Sequence, residues 1–414
     1  MANAQTFPNA VLYTRLGLTV PLLCALAVAA GDGELPPLPE PALLGFRREP
    51  ERGKVLAREG GSRATERAVE AGLDWLARHQ EEHGGWDADG FAGRCDPERG
   101  DPCDGVGKGQ HGEEVPCPFD GAISALATLA FLGHGHLPDA EDDPYGEVVG
   151  RALRHLRDAA GGAWATPLAA TAFAEAEALE RKGRWLDLAH GFAEQVLSRQ
   201  QEDGGWGYAA PYRPGSDVPY TALCVQALAA ARDVGFTLPQ ELPGQVDAFL
   251  DSLEVEGGRL AYLVDGREYG YTPTATNAHL AAAIRELLDV GRDGDRHRKH
   301  LRLVAGKRPV WKIAFQEVNV PGRGKMKVQL GSLSMYQWWY GAIASFHRDG
   351  GSWAAYYRSA KTALTGSQRK TGCDEGSWPP VGTYERQTGG RVFATALGVL
   401  ILEQPYRHRR RDDR

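Results

Sequence analysis

A repeat with a period of about fifty residues is the feature that most constrains the fold of this 414-residue chain. Six Ala-rich runs share a small residue followed by two apolar or small residues, and successive runs are 47 to 65 residues apart. The small residues are Ser124, Thr171, Thr221, Thr276, Gly341 and Thr395. Self-similarity at such a period indicates a repeat architecture in which neighbouring units bury a continuous core.

Each Ala-rich run follows a segment with the periodicity of an amphipathic helix. Val69, Leu73 and Leu76 recur at i, i+4 and i+7 in residues 65–79, on one face of a helix. Further segments of this kind are 146–158, 188–200, 244–254 and 356–368, with a degenerate one near 296–311. Because one helical pair cannot bury both of its faces, the sequence predicts an all-α fold for residues 61–406. This fold is an α/α toroid, a double ring of about six helical hairpins around a central cavity.

The turns between the paired helices carry a recurring Gln, Gly and Trp pattern with the spacing Q-x3-G-x-W. Its members are Gln80, Gly84 and Trp86; Gln200, Gly204 and Trp206; Trp164 in a degenerate copy; and Gln368 and Trp378, separated by a four-residue insertion. This pattern resembles the QW motif of triterpene cyclases, and residues 61–406 resemble the prenyltransferase/squalene-cyclase repeat superfamily. The segment 377–397 is also similar to the closing repeat of uncharacterised exported bacterial members.

The residue types of this motif suit a structural task. Glycine permits a tight turn, a Gln amide can donate to the exposed backbone carbonyls of a helix end, and Trp packs against the adjacent pair. The resemblance therefore implies the fold and leaves the chemistry open. The sequence lacks a complete catalytic motif. The acidic run Asp139–Asp143 lies in a polar connection between helices, where its side chains are expected to be solvated. Gly376 also replaces the Gln that an internal thioester at Cys373 would need.

A cysteine-bearing insertion spans residues 94–118 and holds Cys95, Cys103, His111 and Cys117. Three thiols and one imidazole can bind zinc in a tetrahedron. In an exported protein, a disulfide with one odd thiol is the expected alternative. The sequence favours the disulfide, keeps these four residues as candidate metal ligands, and predicts no cofactor.

Residues four positions before the small residue of each repeat lie one helical turn back on the same face. They are Asp120, Pro167, Asp217, Thr272, Gln337 and Arg391. We expect Asp120, Asp217, Thr272, Gln337 and Arg391 at the cavity mouth, together with Tyr336, Trp339 and Tyr340. Ring closure brings Arg391 towards Asp120, and a neighbouring guanidinium lowers the pKa of a carboxyl group. Asp120 is therefore expected to close the ring as an ion-pair partner and not to act as a proton donor.

The ends of the chain have their own composition. Residues 1–30 contain an apolar run that predicts a signal peptide or N-terminal anchor. Residues 31–60 are rich in proline and predict a tether, and residues 407–414 form a basic tail. An exported location follows, in the periplasm, in the cell envelope or outside the cell, with membrane association through the N-terminus as an option. The net charge of −7 argues against a nucleic-acid partner.

Three hypotheses about function follow from these observations, and the sequence favours the first, with the two enzymes as alternatives. The first is an exported toroid that binds a small molecule, a glycan or a protein through its cavity or rim, without identifiable catalysis. The second is a terpenoid-cyclase-like isomerase with a non-standard acid, and the third is a polysaccharide-active enzyme. A cyclase needs an apolar, aromatic-lined cavity with one protonated acid, whereas a glycosidase needs an open groove with paired carboxylates.

Overall fold

The computed structural model describes residues 46–105, 107, 117, 119–159, 161–208, 215–263, 273–312, 314–320, 324–330, 334–348 and 350–410. The predicted signal or anchor, residues 1–30, lies outside this range. Within the described residues, no helix has both the length and the apolarity that crossing a membrane requires.

Twelve long helices alternate along the described chain between an outer and an inner ring. The outer helices are α2 (Arg63–Arg78), α4 (Gly146–Ala159), α6 (Leu186–Leu197), α8 (Leu242–Leu253), α10 (Asp295–Gly306) and α12 (Gly350–Ser367). The inner helices are α3 (Asp120–Gly133), α5 (Ala165–Glu180), α7 (Val218–Arg232), α9 (Ala275–Leu288), α11 (Met335–Arg348) and α14 (Gly390–Leu402). Three short helices complete the set: α1 (Glu51–Arg58), α13 (Thr383–Gln387) and α15 (Gln404–Arg407).

The inner helices form a closed ring. Each contacts its inner neighbour in the order α3, α5, α7, α9, α11 and α14, and α14 contacts α3. The inner helices are buried on nearly every side, as α3 is over the whole stretch 122–133. By contrast, outer helix α4 buries the single apolar face that includes Val149, Leu153 and Leu156. The prediction of an α/α toroid with six helical hairpins is confirmed.

One element of the described chain is not helical. Strands β1 (Ala314–Val320) and β2 (Gly324–Leu330) form an antiparallel hairpin in which Ala314 pairs with Leu330 and Val320 pairs with Gly324. This hairpin lies between α10 and α11, inside the longest spacing of the sequence repeat. The extra length of that repeat is therefore an insertion into a connection and leaves the ring of helices intact.

The first Gln-Gly-Trp turn shows what the motif does. The Gln80 amide donates to the carbonyl oxygens of Gly84 and Val148, both at 2.9 Å, so it joins the turn to outer helix α4. The Trp86 indole donates to the carbonyl of Leu76 at 2.8 Å. Gly84 has a φ of 95°, and a Cβ there would lie 2.4 Å from a backbone oxygen of α4. The structural task inferred from the residue types is found at this turn.

The third and sixth repeats use the same contacts. Gln200 donates to the carbonyl of Gly204 at 2.9 Å, and Gln368 donates to the carbonyl of Gly376 at 2.8 Å. Gly376, with a φ of 91°, thus takes the place of Gly84 in the sixth repeat. The four-residue insertion of that repeat therefore precedes the turn glycine and comprises residues 372–375.

The small residue at the start of each Ala-rich run can accept a hydrogen bond from the turn that precedes its helix. The backbone N–H of Trp206 donates to the Thr221 hydroxyl at 3.0 Å. The N–H of Trp378 donates to the Thr395 hydroxyl at 3.2 Å. Each of these bonds holds the turn against its own inner helix, which explains why a hydroxyl recurs at this position.

Both ends of the described chain fold onto the ring. Arg47 is buried and donates to the Glu175 carboxylate at 2.7 Å. Arg407 is also buried and donates to both oxygens of Glu175, at 2.8 and 2.9 Å. The tether prediction is therefore wrong for residues 46–60, which include α1, and the basic-tail prediction is wrong for residues 407–410. The Glu175 carboxylate of inner helix α5 is shared by Arg47 and Arg407, and Arg407 also pairs with Glu403, so neither buried guanidinium lacks a carboxylate partner.

Candidate functional site

A cavity of about 1010 Å³ lies where the inner helices begin. Each repeat contributes a residue at or just before the N-terminal end of its inner helix. The described lining residues are Phe119, Gly161, Gly162, Ala163, Trp164, Ala165, Tyr208, Pro219, Tyr262, Thr274, Thr276, Asn277, Ser334, Tyr336, Tyr384 and Thr388. The cavity thus belongs to the whole ring and not to one repeat.

Aromatic side chains form one wall of the cavity. The Trp164 ring centre lies 5.9 Å from that of Tyr336 and 6.1 Å from that of Tyr384, and Tyr336 lies 6.0 Å from Tyr384. Tyr208 stacks on Trp164 with a centroid distance of 6.4 Å and accepts a hydrogen bond from its indole N–H. Their faces present negative π density, which attracts cationic groups and packs well against unsaturated hydrocarbon.

Two of the inner helices that begin at the cavity are capped by side chains. Asp217 caps α7 by accepting from the Tyr220 N–H at 2.8 Å, and Thr274 caps α9 by accepting from Asn277 at 3.3 Å. These contacts occupy N–H groups that would otherwise attract water or anions. The lining residues themselves make the cavity wall largely apolar, although six helices begin around it.

A fully buried acid directly follows the lining residue Tyr384. Glu385 is fully buried on α13 between the lining residues Tyr384 and Thr388. Its Oε1 accepts from the N–H of Met335 at 2.7 Å, and its Oε2 has no hydrogen-bond partner among the described residues. Burial raises the pKa of Glu385 to about 7, against the backbone hydrogen bonds that favour its ionised form. A large fraction of Glu385 is therefore a neutral carboxylic acid at pH 7.

The expected pair between Arg391 and Asp120 is not formed. Asp120 accepts from the N–H of Ala88 at 2.9 Å, while Arg391 ion-pairs with Asp104 and Asp374. Burial raises the pKa of Asp120 to about 7, so the predicted lowering is wrong. The connection that carries Asp104 lies against Arg391 and takes up its charge, which the repeat alignment alone did not reveal.

The described lining includes Tyr336 from the predicted cavity-mouth set and omits Asp120, Asp217, Gln337, Arg391, Trp339 and Tyr340. Thr272 lies outside the described residues. Gln337 is buried and contacts His279, with its Nε2 3.2 Å from an imidazole nitrogen. Tyr340 lies one turn deeper than Tyr336, and its hydroxyl donates to Gln226 of α7 at 3.1 Å. Helical rotation and depth within the ring therefore separate these residues from the cavity.

Trp164 departs from its predicted role as a motif tryptophan. It is half-buried and faces the cavity, whereas Trp86 and Trp206 are fully buried in their turns. The cause is local, because Trp164 directly precedes α5. Trp86 and Trp206 are each followed by a connecting segment before their inner helix, and Trp164 is not. A tryptophan that immediately precedes an inner helix was the sequence signal for this position.

A second cluster lies away from the cavity lining and contains His79, Cys95, Cys103 and Cys373. Their four ligand-type atoms all lie within 4.8 Å of one another. Cys117, which the sequence grouped with Cys95 and Cys103, is buried outside this cluster, and His111 lies outside the described residues. All five described cysteines are free thiols, so the favoured disulfide is not found among them.

Sequence comparisons and structural comparisons differ in what they detect. No family model matches the sequence, and no curated protein matches it. The fold is similar to an inactive variant of the α-1,6-mannanase GH76A of Salegentibacter sp. HEL1_6, with a TM-score of 0.54 and 12% identity. That match covers 83% of this chain and 99% of the mannanase chain.

Two further solved structures share the architecture. The cellobiose 2-epimerase from Bacillus thermoamylovorans B4167 matches with a TM-score of 0.53 and 11% identity, over 82% of this chain and 97% of that chain. The type II terpene cyclase MstE from Scytonema matches with a TM-score of 0.50 and 12% identity, over 83% and 97%. At these identities the likeness shows the fold alone. The chain is an α/α toroid, an architecture that it shares with enzymes of three different chemistries.

Proposed function

We propose that the aromatic cavity holds a linear isoprenoid and that the protein acts on it as a terpenoid-cyclase-like isomerase. The observation that carries the proposal is a buried carboxylic acid, Glu385, whose pKa is raised to about 7 and which directly follows the lining residue Tyr384 of a cavity walled by Trp164, Tyr336 and Tyr384. Such a pairing of a protonated acid with apolar, aromatic surroundings is what alkene protonation requires.

The proposed reaction balances without a cofactor. The Glu385 O–H proton adds to a C=C bond, whose electron pair forms the new C–H bond and leaves a carbocation. A second C=C bond of the same molecule attacks that cation and forms a ring C–C bond. The final cation loses a proton to water and becomes a neutral product, and the Glu385 carboxylate takes a proton back from water, so the net change is isomerisation. The π faces of Trp164, Tyr336 and Tyr384 stabilise the positive charge while it exists.

Two other hypotheses receive less support. The described lining residues include no pair of carboxyl groups, and the single acid Glu385 is not itself one of them, whereas a glycosidase of the usual kind needs two carboxyl groups that flank the scissile bond. A non-catalytic binder would use the same aromatic wall but has no need for a buried neutral acid, which destabilises the fold at neutral pH. Glu385 is therefore the residue that distinguishes an enzyme from a binder.

A product assay tests the proposal. Purified protein is incubated with squalene or geranylgeraniol in detergent, and the products are separated by gas chromatography and identified by mass spectrometry. We expect cyclised isomers from the wild type, one deuterium per product molecule when the reaction runs in D₂O, and no product from Glu385→Gln. Glu403→Gln is the matched control, because Glu403 is a buried acid that pairs with Arg407 at the C-terminal end of α14, away from the helix N-termini around the cavity.

The outcomes separate the hypotheses. Saturable binding of the isoprenoid by both wild type and Glu385→Gln, with no product from either, would leave a binding protein and refute the isomerase. Equal turnover by wild type and Glu385→Gln would remove Glu385 from the role of acid. Hydrolysis of a polysaccharide by the wild type would replace the proposal by the third hypothesis.

We also propose that the protein works outside the cytoplasm, on the basis of residues 1–30. A fusion of this segment to a reporter that is active only after export should be active. Activity of a reporter that functions only in the cytoplasm would contradict export.

A further inference from the structure

We propose that His79, Cys95, Cys103 and Cys373 bind one Zn²⁺ ion in a closed site that fastens the first repeat to the closing repeat. His79 follows outer helix α2, Cys95 and Cys103 lie in the connection after it, and Cys373 lies in the insertion 372–375. The site is independent of the proposed isomerase activity, because none of the four residues lines the cavity.

The distances match those of a tetrahedral zinc site. The Nε2 atom of His79 lies 3.6 Å from the Sγ atoms of Cys95 and Cys103 and 3.8 Å from that of Cys373. Zn–N bonds of about 2.0 Å and Zn–S bonds of about 2.3 Å at tetrahedral angles separate nitrogen and sulfur by about 3.5 Å. One ion therefore fits between the four donor atoms with little movement.

Neighbouring hydrogen bonds orient the donor atoms. The Nδ1 atom of His79 lies 2.8 Å from the Trp75 carbonyl, so Nδ1 donates there and the Nε2 lone pair points to the three sulfurs. The N–H of Cys103 donates to the Cys95 sulfur at 3.2 Å. Such contacts fix the imidazole tautomer and stabilise a thiolate, as the outer shell of metal sites does.

Arginines hold the cysteine-bearing segments in place. Arg391 is buried and ion-pairs with Asp104 and Asp374, the residues that follow Cys103 and Cys373. Arg78 donates to the carbonyl of Cys373 at 3.2 Å. Three thiolates and one Zn²⁺ carry a net charge of −1, and both guanidinium groups lie close enough to act electrostatically on the cluster residue His79.

The donor set indicates both the metal and its role. Three thiolates and one imidazole select Zn²⁺ over the oxygen-seeking Mg²⁺ and Ca²⁺. Four protein ligands complete the tetrahedron and leave no position for water or substrate, which is typical of structural sites. Because 294 residues separate His79 from Cys373, the ion joins the two ends of the ring.

Metal content tests the site directly. Full-length protein, purified without chelator, is assayed for zinc by mass spectrometry. We expect about one zinc per chain in the wild type and a loss of most of it in Cys373→Ser and His79→Ala. Cys117→Ser and Cys224→Ala are the controls and should keep their zinc, because both residues are buried cysteines outside the cluster.

X-ray absorption at the zinc edge of the wild type gives the answer even where a variant fails to fold. Three sulfur neighbours at about 2.3 Å and one nitrogen at about 2.0 Å would support the site. Wild-type protein with no zinc, together with a disulfide between two of the three cluster cysteines, would refute it. Loss of zinc from Cys117→Ser with retention in Cys373→Ser would also refute it, in favour of the ligands expected from the sequence.

Discussion

The Nε of Arg391 donates to the backbone carbonyl of Asp104 at 2.7 Å, across the junction between the last and first repeats. The same guanidinium donates to the Ser377 hydroxyl at 2.8 Å, so it ties the first connection to the closing turn. Because Arg391 is engaged there, it does not lower the pKa of Asp120. The electrostatic argument against a protonated carboxyl in this ring, drawn from the sequence, therefore fails.

Glu385 predicts a pH dependence of stability. Its pKa is raised from the ordinary 4.5 to about 7, so the unfolded chain releases this proton at a lower pH than the folded chain. The stability contributed by the protonated form is complete below pH 4.5 and is lost as the pH rises to 7. We expect Glu385→Gln to gain stability relative to wild type over that interval, by up to about 3 kcal/mol.

Urea unfolding of both proteins at pH 4.5, 6 and 8 measures this difference. Other buried acids, including Asp120, titrate in both proteins and cancel in the comparison. A difference that stays constant across the three pH values would show that Glu385 ionises normally in the folded protein.

Glu175 should be among the most sensitive charged positions. It pairs with both of the buried Arg47 and Arg407, and Glu175→Gln would remove its charge while keeping the size of the side chain. Breaking a buried ion network from one side costs about 3–5 kcal/mol. The matched control is Glu147→Gln, because Glu147 is 83% exposed beside Arg151 and should change the unfolding free energy by less than about 1 kcal/mol. Similar effects of the two substitutions would contradict the role of Glu175 as the shared ion-pair partner of Arg47 and Arg407.

A half-ring should not fold. A chain truncated after Gly235 keeps inner helices α3, α5 and α7 but loses α14, which covers α3, and α9, which covers α7. Two apolar helix faces would then be exposed to water. Circular dichroism melts should be non-cooperative and the hydrodynamic radius expanded, whereas a cooperative melt with a compact radius would show that the repeats are stable in smaller groups.

Removal of the proposed zinc ion should loosen ring closure. A ligand that binds only the folded state stabilises it, so a strong chelator is expected to lower the melting temperature of the wild type by roughly 5 °C or more. The same treatment should leave the melting temperature of Cys373→Ser unchanged. An equal decrease in both proteins would mean that the chelator acts elsewhere.

The fold was predictable because helical periodicity and repeat spacing are local properties. The spacing of Val69, Leu73 and Leu76 is enough to predict an outer helix. The contact between α14 and α3 then follows when six helical pairs close into a ring. The site was less predictable, because whether Tyr336 or Gln337 faces the cavity depends on helix rotation and depth. The sequence indicates contacts between distant residues, such as His79 and Cys373, only indirectly. In this chain the indication was the four-residue insertion in the sixth turn, which carries Cys373.

Photo-cross-linking with a benzophenone-bearing linear isoprenoid tests the location of the proposed site most directly. After irradiation and peptide mapping, we expect adducts in the segments that contain Trp164, Tyr336 or Tyr384, with labelling suppressed by excess squalene. Labelling instead in the separate groove of about 800 Å³ lined by Trp311 and Arg358, or labelling that squalene does not suppress, would contradict the assignment of the aromatic cavity as an isoprenoid site.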